Sequence, residues 1–168
     1  AVKGMIVGGA MAYTFMRAQG LPTGKSLVEE DQIETATKVL QIAKAKGKQV
    51  LLPEDHVVAE KLEKGVASQI VPADGIPAGL MALDIGPRTV AAFAAEIAKA
   101  RLIVWNGPQG VFEIPPFDQG TTAVAKAVAA SGATSIVGGG ESVAAVKKAG
   151  VAAQITHIST GGGASLEF

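Results

Sequence analysis

The sequence of 168 residues contains no cysteine. Disulfide bridges, thiolate metal sites and a cysteine nucleophile are therefore excluded, and the absence is compatible with a reducing compartment. Aromatic residues are also few, with one Trp, one Tyr and five Phe. So small a number of rings argues against a nucleic-acid surface built on aromatic stacking.

Neither sign of charge is in excess, because 15 Lys and Arg balance 15 Asp and Glu. Without a cationic field we expect no nucleic-acid partner. No apolar run reaches the roughly 18 residues that span a bilayer and no secretory leader is recognisable, so we expect no membrane association and a cytoplasmic location. With 48% hydrophobic residues, the chain can bury one sizeable core, which predicts a single domain.

Glycine, in contrast, is abundant, with 21 residues, and four apolar runs each end in a glycine cluster. These runs occupy residues 5–11, 103–110, 135–142 and 155–165. A buried strand that ends in glycines and leads into a helix exposes backbone N–H groups, which a phosphate can approach without meeting a Cβ atom. Several such turns at the carboxyl edge of one parallel sheet would form a cleft for a nucleotide or a phosphorylated substrate.

Strand-like and helix-like hydrophobic periods alternate along most of the chain. Strands are predicted over residues 5–8, 49–52, 103–105, 135–137 and 155–158, and helices over residues 11–19, 28–46, 89–100, 121–130 and 142–148. The stretch between residues 53 and 85 is predicted to be irregular, with short extended pieces at 57–59, 70–71 and 81–85. The alternation predicts an α/β fold, a doubly wound (Rossmann-like) parallel sheet with helices on both faces.

Each glycine turn also has a simpler explanation as a tight strand-to-helix turn that binds nothing. Four such turns leave the two interpretations evenly balanced. None of them has the dinucleotide spacing G-x-G-x-x-G, and the G-x-x-x-x-G-K-[ST] loop is absent as well. Residues 24–26 are Gly-Lys-Ser, but Gln19 stands where that loop needs glycine.

A few single residues are candidates for chemistry. Glu113 follows a strand and a glycine loop, where a carboxylate can bind a pair of ribose hydroxyls or simply lie near a helix start. Glu141 lies at a glycine-rich helix entry and is a candidate cap or a candidate metal ligand. His56 is predicted to be a solvated loop residue, and His157 a buried core residue of a strand. Two aspartates that end extended segments are predicted turn formers, Asp55 and Asp84.

Six blocks together form a recognisable combination: VGGAMAYTF, GKSLVEED, ALDIGP, VWNGPQGVFE, GGGES and HISTGGGASLE. Their order and approximate spacing resemble the C-terminal, nucleotide-binding domain of the phosphoglycerate kinases, over essentially the whole chain. The resemblance implies reversible phosphoryl transfer between 1,3-bisphosphoglycerate and ADP in glycolysis, with Mg²⁺ bound beside ADP or ATP. Such a reaction depends on positioning and charge neutralisation rather than on covalent chemistry by the protein.

The resemblance also implies which residues form the site. An apolar adenine slot would include Gly8, Gly9, Leu27, Ala82 and Leu83, with Val111 nearby. The ribose would be held by Glu113, with Asn106 and Pro108 at the border of the same pocket. The phosphates and Mg²⁺ would meet Gly138, Gly139, Gly140, Glu141 and Ser142, with Glu141 as the metal ligand. The turn at residues 160–163 would face the transferring phosphoryl group, so the phosphoryl-stabilising backbone is that of Gly139, Gly140, Gly161 and Gly162.

Three residues depart from the family's usual pattern. Ala10 replaces a glycine and would narrow the adenine slot slightly. Glu141 is one methylene longer than the usual aspartate, which affects the geometry of the metal site. Gln109 replaces a commonly apolar residue and is expected to be tolerated at the rim of the pocket.

The 168 residues match only part of the family's pattern. The N-terminal domain that binds phosphoglycerate has no counterpart here, and neither have the strand and helix upstream of Ala1, with their phosphate-binding lysines, or the C-terminal end. We therefore expect an internal fragment of the nucleotide-binding domain, spanning residues 1–168, that needs the N-terminal domain as its partner and is inactive alone. The alternative is a non-catalytic module that binds an adenine nucleotide or merely folds. In the family's strand order the missing strand lies between those predicted at 5–8 and 103–105, so these two should not pair.

Overall fold

The computed structural model describes residues 2–159 and 161, which form eight strands and five α-helices. The strands are β1 (Gly4–Ile6), β2 (Gln49–Leu51), β3 (Asp55–Ala59), β4 (Ser68–Pro72), β5 (Met81–Ile85), β6 (Leu102–Asn106), β7 (Thr134–Gly138) and β8 (His157–Ser159). The helices are α1 (Ala10–Ala18), α2 (Ile33–Ala45), α3 (Pro87–Ala98), α4 (Gln119–Ala130) and α5 (Gly140–Lys148). Every predicted helix and parallel strand is present, although α2 starts later than predicted because Glu30–Gln32 form a 3-10 turn.

Two parallel ladders confirm the predicted α/β class. In the first, β1 pairs with β2, with Met5 opposite Val50. In the second, β6 pairs with β7 and β7 with β8, which places Trp105, Val137 and Ile158 side by side. Helices connect successive parallel strands, as a right-handed crossover requires.

The stretch predicted to be irregular instead contains an antiparallel sheet in the order β4-β3-β5. The segments that connect these strands contain no helix and are too short for a crossover, so neighbouring strands run in opposite directions. Four of the five residues of β3 are buried, because it is the central strand and both of its faces are covered. A strand buried on both faces loses the alternation of apolar and polar residues that identifies strands in a sequence.

The largest core cluster lies among α3, α4, α5 and the β6-β7-β8 sheet. Phe93, Val137 and Val146 are fully buried at its centre. Ile6 of β1 and Leu51 of β2 pack against the same cluster, so the two parallel ladders are neighbours around one core. Within the described part of the chain, no helix is both long enough and apolar enough to cross a membrane.

Two strand edges that face away from their ladders have no partner among residues 2–159. β1 is bonded only to β2, and β6 only to β7. The prediction that these two strands do not pair with each other is thus confirmed. Leu102 and Val104 of β6 are 61% and 53% exposed, so this edge strand, unpaired on one side among the described residues, also exposes apolar side chains. Such an edge is a template for pairing with another strand.

We therefore expect the 168-residue chain to self-associate, and the substitution Val104→Lys to shift it toward the monomer, because a charge on an edge strand opposes intermolecular pairing. Light scattering over a range of concentrations measures this directly. The matched control is Ile42→Lys on α2, which replaces an equally exposed residue (54%) and should leave association unchanged. A wild-type chain that stays monomeric at every concentration would contradict this expectation.

Candidate functional site

The first glycine turn lies directly against the last residue of β6 and the loop that follows it, residues 106–113, here named the central loop. The N–H of Gly9 donates to the carbonyl of Gln109 at 3.1 Å. Gly9 has φ 66°, and a Cβ there would lie 2.5 Å from the carbonyl oxygen of Pro108. A Cβ on Gly8 would overlap the Gln109 side chain. At this turn, packing alone explains both glycines.

The central loop also contacts the start of α5. The N–H of Gly107 donates to Ser142 Oγ at 2.6 Å, and Trp105 Nε1 donates to the Gly107 carbonyl at 2.7 Å. Asn106 lies opposite Gly138 in the parallel register. The Ser142 hydroxyl is buried and supports the loop, which is a role that the sequence did not predict.

The start of α5 is open. Its N-cap is Gly139, with φ 88°, and no side chain caps it by a hydrogen bond within the described residues. A Cβ on the exposed Gly140 would meet no described atom within 4 Å, so neither packing nor backbone strain requires glycine there. The first N–H groups of an α-helix have no intrahelical partner and carry a partial positive charge. This helix start can therefore bind an anion.

Glu141 lies in the first turn of α5 with its side chain exposed. Because no side-chain hydrogen bond from the described residues caps this helix, those residues give the capping alternative no support. Glu113 is likewise exposed, on the central loop. Lys148 of α5 connects the end of the central loop to the start of α4. Its Nζ donates to the Phe112 carbonyl at 2.5 Å and to Asp118 Oδ2 at 3.1 Å.

The last glycine turn begins at the same edge of the sheet. Ser159 at the end of β8 is in register with Gly138, and the N–H of the exposed Gly161 donates to Ser159 Oγ at 3.3 Å. Residues 160 and 163 of the predicted turn lie outside the described residues, as does Gly162, the second glycine predicted to stabilise the phosphoryl group there. The ends of β6, β7 and β8 are thus adjacent, as the parallel sheet predicts.

The residues predicted for the adenine slot come from separate segments. The Val111 N–H donates to the Leu83 carbonyl at 2.9 Å, so these two residues are neighbours. Ser26 Oγ accepts from the N–H of Ala82 at 2.9 Å, which places the exposed Leu27 close by. The Gly-Lys-Ser segment therefore packs against β5 and is not a phosphate loop. The side chains of Ala82 and Leu83 are buried, so each has little accessible surface with which to contact a ligand.

The two aspartates expected to form turns are buried instead, and each binds the start of a helix. Asp55 accepts from the N–H groups of Arg88 at 3.0 Å and Thr89 at 2.8 Å, in the first turn of α3. Asp84 accepts from the N–H groups of Ile85 and Gly120, both at 2.8 Å. Burial raises the pKa of Asp84 to about 7, and the nearby charge of Asp118 adds to the shift. These roles could not be predicted from the sequence, because Asp55 is 34 residues from Thr89 and Asp84 is 36 residues from Gly120.

The environments of the two histidines are the reverse of those predicted. His56 is fully buried in β3, and its ring packs edge-on against Tyr13 with centroids 5.7 Å apart. Burial lowers the pKa of His56 to about 4, so it is neutral at pH 7. His157, on β8, is exposed. The expectation for Gln109 was also wrong, since it is only 6% exposed and packs under the first glycine turn.

Together these contacts define an α/β domain in which, among the described residues, a helix start without a side-chain cap lies at the carboxyl edge of a parallel sheet. A protein-family model described as Phosphoglycerate kinase matches residues 1–168. The chain is 62% identical over 169 residues to the phosphoglycerate kinase of Koribacter versatilis and 59% identical over 167 residues to that of Solibacter usitatus. Each match covers 99% of this chain but only 42% and 41% of the relative, respectively.

The solved structure of phosphoglycerate kinase from Coxiella burnetii superposes with a TM-score of 0.96 at 44% identity, over 99% of this chain and 43% of that one. The enzyme from Pyrococcus horikoshii gives a TM-score of 0.83 at 34% identity. The chain belongs to the phosphoglycerate kinase family. It spans about two fifths of the length of the curated relatives that it matches.

The open space beside Gly140 predicts that the substitution Gly140→Ala weakens ADP binding by about 1.5–3 kcal/mol, the scale of a hydrogen bond to a charged group, because the new methyl occupies the approach to the N–H groups. Stability should not fall, since alanine is a better helix former than glycine. Calorimetric titration and thermal unfolding measure the two effects. Gly79→Ala, also free of neighbours within 4 Å, is the matched control and should change neither. Unchanged ADP affinity in the Gly140 variant would show that no phosphate approaches there.

Proposed function

We propose that this chain forms the ADP and ATP site of a cytoplasmic, glycolytic phosphoglycerate kinase, which transfers a phosphoryl group between 1,3-bisphosphoglycerate and ADP. The observation that carries the proposal is the uncapped start of α5, where Gly140 leaves open space beside the central loop. Membership of the family supplies the chemistry to which this geometry corresponds.

The nucleotide extends along the carboxyl edge of the sheet in this proposal. The adenine lies near the first glycine turn, with Leu27 and Val111 supplying apolar contact. Glu113 binds the ribose hydroxyls from the central loop, where Asn106 and Pro108 border the pocket. The direct bond from Gly9 to Gln109 supports this arrangement, because it holds the turn and the loop in contact.

The phosphates then meet the backbone N–H groups at the start of α5 and the turn that follows β8. Hydrogen-bond donors held by a folded backbone need no reorganisation when negative charge shifts during transfer, so they stabilise the transition state selectively. The bond from Gly107 to Ser142 keeps the α5 start and the central loop at a fixed separation. Precise placing of the nucleotide is the main contribution that a kinase makes to this reaction.

The residues present fit a Mg²⁺ ion bound together with the nucleotide. The described residues contain no group of three or more metal-ligating side chains, and Mg²⁺ commonly binds through one or two carboxylates plus substrate phosphates. Glu141 offers one exposed carboxylate in the first turn of α5, beside the proposed phosphate position. When bound, the ion would neutralise phosphate charge.

The proposed partner is the N-terminal, phosphoglycerate-binding domain of the family. We expect no turnover from the 168-residue chain alone, because each missing charge-stabilising group typically costs on the order of 10²–10³ in rate. A coupled kinase assay with and without the remainder of the enzyme, added as a separate polypeptide, tests the proposal. Restored turnover supports it. ADP binding without restored activity would favour the non-catalytic module. Normal turnover by the chain alone would contradict the proposal that the N-terminal domain is required for the reaction.

For the ribose contact, we expect Glu113→Ala to weaken ADP binding by roughly 1.5–3 kcal/mol, because a carboxylate bound to hydroxyl groups makes charge-assisted hydrogen bonds. Glu34→Ala on α2 removes the same charge from an exposed surface pair with Lys38 and is the matched control. Calorimetry on both variants, with the fold checked by circular dichroism, measures the difference. Equal affinities for wild type and the Glu113 variant would exclude the contact.

For the metal, Glu141→Ala should reduce the affinity for Mg-ADP but hardly change the affinity for ADP without metal, because a carboxylate repels phosphates unless a cation lies between them. Titrations in Mg²⁺ and in EDTA separate the two cases. Equal losses under both conditions would assign Glu141 to support of the helix start instead.

A further inference from the structure

Three consecutive amides of the central loop are bound by two other elements. The N–H groups of Gln109 and Gly110 both donate to Thr121 Oγ1, at 2.9 and 3.2 Å. Thr121 is the third residue of α4 and is buried. The next amide, that of Val111, donates to the Leu83 carbonyl on β5 at 2.9 Å. The position of the loop therefore depends on how α4 sits relative to β5.

Asp84 connects these two elements. Its Oδ2 accepts from Gly120 at the start of α4, and its Oδ1 accepts from Ile85 on its own strand, both at 2.8 Å. The carboxylate is fully buried between two glycine backbones. A Cβ placed on Gly110 would lie 2.4 Å from Asp84 Oδ1, and one placed on Gly120 would lie 2.3 Å from the same atom. The Asp84 carboxylate therefore fills the space between the central loop and α4.

We propose that Asp84 is a positioning residue for nucleotide binding, which fixes the start of α4 to β5 and so keeps the Thr121 hydroxyl beneath the central loop. The inference rests on the proposed function for the identity of the ligand. The placement of the loop itself follows from the hydrogen bonds. The loop carries four of the predicted nucleotide contacts, and displacement of its backbone would move them together: Asn106, Pro108, Val111 and Glu113.

The ionised carboxylate is the form that accepts both bonds well, since protonation converts one oxygen into a hydroxyl donor. The pKa of Asp84, raised by burial to about 7, makes this change occur in the neutral range. Three other elements bring ionisable groups near Asp84: Asp118 at the start of α4, Tyr13 on α1, and Asp55 and His56 on the neighbouring strand β3. The pKa of Tyr13 is itself raised, by burial and by the charge of Asp84. Burial keeps His56 neutral above its pKa of about 4.

Stability and nucleotide affinity should respond to this ionisation in opposite directions. Because the pKa of Asp84 is higher in the folded chain than in the unfolded one, its contribution to stability is present at low pH and is lost as the pH rises through about 7. Over the same pH range Asp84 becomes ionised and accepts both hydrogen bonds well, so its contribution to ADP affinity, through the position of the central loop, increases. A residue with a merely structural role would move stability and affinity in the same direction.

The test compares wild type with Asp84→Asn, using ADP calorimetry and unfolding at pH 6, 7 and 8. We expect the variant to bind ADP about tenfold more weakly at pH 8, the effect of one hydrogen bond to a charged group, and to approach wild type at pH 6. The stability of wild type relative to the variant should decline from pH 6 to 8. Titration of ADP itself cancels in the ratio of the two dissociation constants. Asp74→Asn, the same substitution at an exposed aspartate in the turn after β4, is the matched control and should retain the wild-type affinity at pH 8.

A second measurement needs neither a variant nor a ligand. Amide hydrogen exchange of Gln109 and Gly110 in the wild-type chain, expressed as protection relative to intrinsic rates, should decrease as the pH falls from 8 to 6. If the chain fails to bind ADP at all, the proposed function is contradicted while this experiment still tests Asp84. Protection that does not vary with pH, or an affinity ratio that stays constant from pH 6 to 8, would overturn the inference.

Discussion

Beyond Asn106, the backbone of the central loop belongs to no helix or strand ladder, so its amides need other hydrogen-bond partners. Its N–H groups bind the Ser142 hydroxyl, the Thr121 hydroxyl and the Leu83 carbonyl, which come from α5, α4 and β5. Leaving a buried amide without a partner costs about 1–3 kcal/mol, so the loop can occupy only the place where all three elements meet it. The geometry of the candidate site follows from this requirement.

Buried carboxylates give the helices around the site their positions. The starts of α3 and α4 have no capping side chain of their own, and the aspartates that bind them come from β3 and β5. In each helix the third residue is a buried threonine, and its hydroxyl accepts further backbone amides: Thr89 for residues 54 and 55, and Thr121 for residues 109 and 110. Burying a carboxylate is unfavourable without such bonds, which is why these residues act as connections between elements rather than as turn formers.

The glycines of the site serve two different purposes. Gly8 and Gly9 allow close packing against the central loop, so the simpler explanation is sufficient for them. A Cβ on Gly140 would meet no described atom within 4 Å, and this open space is where the proposed function places the phosphates. A sequence pattern cannot separate these cases, because both appear as glycines between a strand and a helix.

The sequence alone determined the order of helices and parallel strands, since each helix has an apolar face and each strand a buried run between glycines. Its six blocks also identified the family, which the comparisons confirm. Only the tertiary structure decided which polar groups meet. The antiparallel sheet, the buried His56, the exposed His157 and the bond between Asp84 and Gly120 all depend on contacts between segments distant in the chain. Burial and hydrogen-bond partners depend on how distant segments pack, so the local periodicity of the sequence does not predict them.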